Sequence, residues 1–174
     1  MDRRLIRCTF ILGLAALLAA CGFQLRGTGS AGEGATLPDD WRYLHLVTAN
    51  PNSEFSREIR SRFAANGIHW MERDEANYVV VLGPEHFKQR NLSLNAEARV
   101  AEYELSLRAR FSVLDSNNGE VMPAREVTTL RQMENDPRNV VGKAEEVRIL
   151  RSEMRADLAR QIMRRIGFFA ASTQ

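Results

Sequence analysis

From Glu102 to Val113 the chain alternates without a break. Tyr103, Leu105, Leu107, Ala109, Phe111 and Val113 are apolar, and Glu102, Glu104, Ser106, Arg108, Arg110 and Ser112 stand between them. Successive side chains of a strand point to opposite faces, so a run this regular needs one face on a core and leaves the other to water or a polar partner. Residues 115–119 (DSNNG) then end in Asn-Gly, a pair that tolerates the positive φ of a tight hairpin turn. Residues 121–133 are therefore expected to return antiparallel, and Pro123 marks a sheet edge or a bulge.

The rest of the chain supplies what such a hairpin must pack against. Residues 41–47 (WRYLHLV) are aromatic and branched and predict a first strand. Pro51-Asn52-Ser53 gives turn and N-cap chemistry; Phe55, Ile59 and Phe63 follow at spacing four, Glu58 precedes Arg62 by four, and Asn66-Gly67 ends the element. This is a helix with one apolar stripe. Residues 78–82 (YVVVL) predict a buried strand stopped by Gly83-Pro84, and the polar residues 85–95 are expected to be extended in part. Val147, Leu150, Met154, Leu158, Ile162 and Ile166 recur at three and four residues, predicting a last helix that packs on the sheet. Glu145 and Glu146 near its start and Arg164 and Arg165 near its end suit the helix dipole, with Gly167 as a stop. The expected fold is α+β, in the order β-α-β-β-β-α. Two helices would cover one face of a four-stranded mixed sheet, the first two strands parallel because a helix joins them. Glu102, Glu104, Arg108 and Arg110 are left on the other face.

The N-terminus carries a different signal. Arg3, Arg4 and Arg7 precede an apolar run over residues 9–20, the length of an export signal and short of the roughly 20 residues that span a bilayer. Leu18-Ala19-Ala20-Cys21 reads as a lipobox, in which cleavage exposes Cys21 as a diacylated N-terminus. Several acyl chains hold a protein to a membrane where one does not. Gly22 follows where many inner-membrane lipoproteins carry aspartate, so the periplasmic side of an outer membrane is the expected address. Gly27, Gly29 and Gly32 spell GxGxxG, but no strand precedes them and Pro38 closes the segment, so they form a tether and not a dinucleotide site. The expected organisation is a signal peptide at 1–20, an acylated N-terminus and tether at 21–38, and one domain at 39–174. Loss of Arg3, Arg4, Arg7 and Asp2 takes 24 basic and 22 acidic residues to 21 of each. A neutral mature chain gives no reason to expect nucleic-acid binding. Cys8 leaves with the signal and Cys21 is acylated, so no pair remains for a disulfide.

Catalytic chemistry finds little support. His45, His69 and His86 are isolated, and neither a nucleophile elbow nor a phosphate-binding loop occurs. No metal or dissociable cofactor is expected, only the lipid on Cys21. Lys88, Arg90, Arg99, Arg138 and Lys143 fall in or beside predicted loops that could share one end of the sheet. Charge-assisted bonds from such groups suit a phosphorylated lipid. An envelope scaffold, a barrel-assembly accessory or a lipid-modifying enzyme would share the anchor and domain size.

Residues 21–27 (CGFQLRG) resemble the opening of the LptE family, the lipopolysaccharide-assembly lipoproteins of Gram-negative outer membranes. Ala101-Glu102-Tyr103 at the head of the long strand, Asp136-Pro137, and Lys143-Ala144-Glu145-Glu146 entering the last helix are similar to the family pattern in the same order. The resemblance implies two helices on a four-stranded sheet and a non-catalytic role. It further implies a one-to-one complex with the β-barrel LptD, whose lumen the protein plugs and whose assembly it assists, and transport of lipopolysaccharide to the cell surface. Family members associate lipopolysaccharide binding with basic residues at the connection before the long strand and at the start of the last helix. Lys143 matches the second position. At the first this chain has Asn95, with Arg90 and Arg99 as its basic neighbours.

Overall fold

A computed structural model describes residues 37–136 and 140–173. The expected signal peptide, Cys21, nearly all of the expected tether and Arg138 lie outside them. A single 3-10 turn at Asp39–Arg42 leads into β1 (Tyr43–Thr48), α1 (Glu54–Ala64), β2 (His69–Trp70) and β3 (Tyr78–Leu82). β4 (His86–Leu94), β5 (Val100–Asp115), β6 (Glu120–Glu134) and α2 (Val140–Ser172) follow.

The α+β class and its element order are those expected, but the sheet has six strands. β1 lies between β2 and β3 and runs parallel to both. β3 pairs antiparallel with the C-terminal part of β5, β4 with its N-terminal part, and β6 runs along its other side. The polar residues 86–94 form a full strand because β5 is longer than β3. Without β4 the first half of β5 would lack a partner on that side. At Pro123 the register slips, with Phe111 opposite Arg125 and Val113 opposite Met122, which is the expected bulge. The hairpin turn is closed by Asp115, whose Oδ1 accepts from the N–H groups of Asn117 (2.8 Å) and Gly119 (2.7 Å). A Cβ on Gly119 would lie 2.6 Å from Asp115 Oδ2, so a side chain there would have to displace the carboxylate that closes the turn.

The register puts Leu44, Leu46, Val80, Leu82, Leu105, Leu107, Phe111 and Val113 on one face, all buried. Phe55, Ile59 and Phe63 of α1 and Met154, Leu158, Ile162 and Ile166 of α2 join them in one core. Both helices therefore cover the same face. α1 begins at Ser53, whose Oγ accepts from Ser56 N–H at 3.0 Å, and Gly67 takes φ +82° just after the helix.

Two details differ from the sequence expectation. Trp41 is not in the first strand but in the 3-10 turn before it, where its ring stacks on Tyr78 at 4.0 Å. The last helix runs through Gly167 to Ser172, because Ala170 is fully buried and Phe169 meets the edge of Trp41. That packing outweighs the ~1 kcal/mol helical cost of a glycine. With the helix described from Val140 to Ser172, neither Glu145–Glu146 nor Arg164–Arg165 sits in a terminal turn, and the dipole argument does not apply to them.

Candidate functional site

Lys143, near the start of α2, is held by the beginning of the long hairpin. Its Nζ donates to Asn135 Oδ1 at 2.6 Å and sits 4.0 Å from the centroid of the Tyr103 ring. Asn135 is itself fixed by β5. Its N–H donates to the Ala101 carbonyl (2.8 Å) and its Nδ2 to the Val100 carbonyl (2.7 Å). The ammonium is thus aimed by a neutral amide and an aromatic face, neither of which cancels its charge.

Asn95 opens the β4–β5 turn. Its Oδ1 accepts from the N–H groups of Glu97 (3.1 Å) and Arg99 (2.9 Å), and its own N–H donates to the Arg99 carbonyl (2.8 Å). A lysine or arginine has no acceptor in its side chain and would lose both of these side-chain bonds. Asparagine where a basic residue was expected therefore has a local structural reason. Asn95, Arg99, Glu102, Glu134 and Asn135 line one open cavity of about 570 Å³. The structure so brings Asn95 and Arg99 to the end of the sheet where Asn135 anchors Lys143.

Arg90 is placed elsewhere. Its guanidinium makes two bonds to Glu104, at 2.6 and 3.0 Å, on the face of the sheet away from the helices, whereas Tyr103 points to the helix side. Those bonds hold the Glu104 carboxyl below its ordinary range and raise the Arg90 guanidinium above its own. Lys88 lies exposed on the same outer face as Arg90.

That face is polar over three strands. His86, Lys88 and Arg90 of β4 lie beside Glu104, Ser106, Arg108 and Arg110 of β5, and Glu126, Thr128, Gln132 and Glu134 of β6 follow. Leu130, 53% exposed, is the apolar exception on β6. The opposite face is the core, as the alternation of residues 102–113 requires.

A second charged cluster was not legible beforehand. Glu85, at the β3–β4 corner, accepts from Arg151 Nη2 (2.6 Å) and from Arg155 Nε (2.8 Å) and Nη2 (2.7 Å), and Arg155 also bonds Glu54 at the start of α1. Burial alone would raise the Glu85 carboxyl. The arginine hydrogen bonds outweigh it and hold that carboxyl below its ordinary range. The cluster ties the corner to both helices, and its members are far apart in sequence, so no local spacing announces them. Among the described residues no group of three or more histidine, cysteine, aspartate or glutamate side chains could hold a metal ion.

Comparison with known proteins bears on this arrangement. A family model described as LptE, lipopolysaccharide assembly, matches residues 41–166. The LPS-assembly lipoprotein LptE of Photorhabdus laumondii is 28% identical over 160 residues, covering 91% of this chain and 84% of that protein. The Yersinia pestis protein of the same name is 28% identical over 162 residues, covering 91% of this chain and 74% of its own length. The crystal structure of rare lipoprotein B from Shewanella oneidensis superposes with a TM-score of 0.65 at 26% identity, over 75% of this chain and 97% of that one. The solution structure of lipoprotein B from Nitrosomonas europaea shares the fold, with a TM-score of 0.69 at 22% identity, over 86% of this chain and 93% of that one.

Proposed function

The chain belongs to the LptE family of lipopolysaccharide-assembly lipoproteins, which is non-catalytic, and we propose that it acts as the plug and assembly partner of the LptD β-barrel. In this reading Cys21 carries the lipid that fixes the mature chain to the periplasmic side of the outer membrane, and the domain beyond the tether stands in the barrel lumen. The observation that carries it is the outer face of β4, β5 and β6. A sheet face this broad and this charged suits a polar lumen, and barrels of the outer membrane are polar inside.

Lipopolysaccharide is the proposed ligand. Lys143, set on Asn135 and Tyr103, and Arg99, which lines the neighbouring cavity with Asn95 and Asn135, offer charge-assisted donors to lipid A phosphates at one end of the sheet. Arg90 is spent on Glu104 and would reach a ligand only from the other face. The test is mild detergent extraction of outer membranes carrying the tagged full-length protein. Recovery of a large β-barrel at one-to-one is the expected result. Recovery of the chain alone, or with soluble periplasmic proteins, would return it to the scaffold class.

A further inference from the structure

The sheet has two long free edges, and they are finished differently. Gly83 donates its backbone N–H to the Arg110 carbonyl at 2.8 Å, so even-numbered residues in this part of β5 bond toward the β3–β4 side and odd-numbered ones toward β6. Carried through the register, this turns the backbone groups of Glu126, Thr128 and Leu130 outward along β6. All three of those carbonyls are occupied. Arg165 donates to Glu126 (2.8 Å), Gln161 to Thr128 (3.2 Å), and Arg131 to Leu130 (2.9 Å). Side chains on the acceptors, two of them from α2, close that edge against another strand.

β4 has no such cover. The same register points His86, Lys88 and Arg90 at β5, and leaves the N–H and C=O groups of Phe87, Gln89 and Asn91 on the free side. Among the described residues no side chain bonds to those groups, and residues 88–92 are all exposed. We infer that the edge of β4 is a docking strand, completed in the complex by an extended acidic segment of the partner barrel. The inference rests on the barrel reading above and adds to it a place and a mode of contact: main-chain bonds to an exposed edge, with side chains setting the choice of partner.

Charge selects the occupant. β4 contains Lys88 and Arg90 and no acidic residue, and Arg90 is already paired with Glu104. A strand added beside it meets Lys88 and His86 on the outer face, where an acidic side chain is the favourable cross-strand neighbour. A second copy of β4 is the poorer fit. Antiparallel pairing centred on Gln89 would set Lys88 opposite Arg90 twice, and like charges directly opposite are destabilising.

The test measures barrel recovered with tagged full-length protein from outer membranes for wild type, Gln89→Pro and Lys88→Glu. The N–H of Gln89 serves no ladder bond, so proline is tolerated in the strand and removes one donor from the edge. Lys88→Glu is a surface change that leaves the backbone alone, and thermal unfolding of both variants checks the fold. Recovery is expected to fall about tenfold in each, the scale of one or two net interfacial hydrogen bonds or a reversed charge pair. Unchanged recovery in both overturns the docking edge while the barrel partnership stands. Loss with Lys88→Glu alone overturns strand addition, and loss with Gln89→Pro alone overturns the acidic occupant. Self-association of the wild type that Gln89→Pro abolishes would show a second copy on the edge instead. A wild-type chain that recovers no barrel overturns the proposed function and this inference together.

Discussion

At the scale of single residues, position decides what a charge can do. Lys143 and Arg90 are both basic residues near the same end of the chain's long hairpin, yet one rests on an amide and a ring and the other on a carboxylate. Lys143→Ala is therefore expected to weaken binding of lipid A phosphates by about tenfold, measured by titration of the purified protein at low salt, while shifting stability by less than about 1 kcal/mol. Arg90→Ala should leave that affinity nearly unchanged. Glu85 gives the opposite kind of residue, one whose charge is structural. Glu85→Gln is expected to cost about 2 kcal/mol at neutral pH, because it strips the carboxylate from two arginines in a largely buried site. The folded carboxyl lies below its ordinary 4.5, so its contribution is complete above that value and is lost as pH falls through the folded pKa. The stability gap between wild type and Glu85→Gln, read from denaturant melts, should close as the pH is lowered from 4.5.

At the scale of elements, the two helices depend on different things. α1 has only 11 residues, and its start relies on Ser53, which accepts from Ser56 N–H at 3.0 Å and donates to Ser56 Oγ at 2.9 Å. Ser53→Ala is expected to cost about 1 kcal/mol in a denaturant melt. α2 has 33 residues and is held by its stripe, so truncating the fully buried Leu158 to alanine should cost about 2–5 kcal/mol. β5 carries the sheet, since three strands hang from it. Leu107→Asp sets a charge in the core and is expected to leave no folded domain by circular dichroism.

At the scale of the molecule, the proposed anchor and the domain can be tested separately. Cys21→Ala, which removes the proposed lipid, is expected to release the protein from the outer membrane when membranes are fractionated, with the domain's melting unaffected. Retention of that variant would show that contacts with the barrel alone suffice. Salt should act on the two proposed contacts alike but not on the fold, because phosphate and acidic-strand contacts are exposed and screened while the core is apolar.

Much of this was legible from local pattern. Period two over residues 102–113 set the faces of the sheet, and period three-four set the buried stripe of α2. Each is a property of neighbours in the chain, so sequence alone determines it. What needed the tertiary structure joins residues that are remote in sequence. β4 became a strand because β5 had an unmatched edge, and α2 passed Gly167 because Trp41 and the core received its end. Lys143 met Asn135 and Tyr103, Glu85 met Arg155 from 70 residues away, and α2 closed one sheet edge while leaving the other open. Hydrophobic periodicity fixes which side of an element is buried, but only packing decides which polar groups find each other, because pairing depends on distance in space and not along the chain.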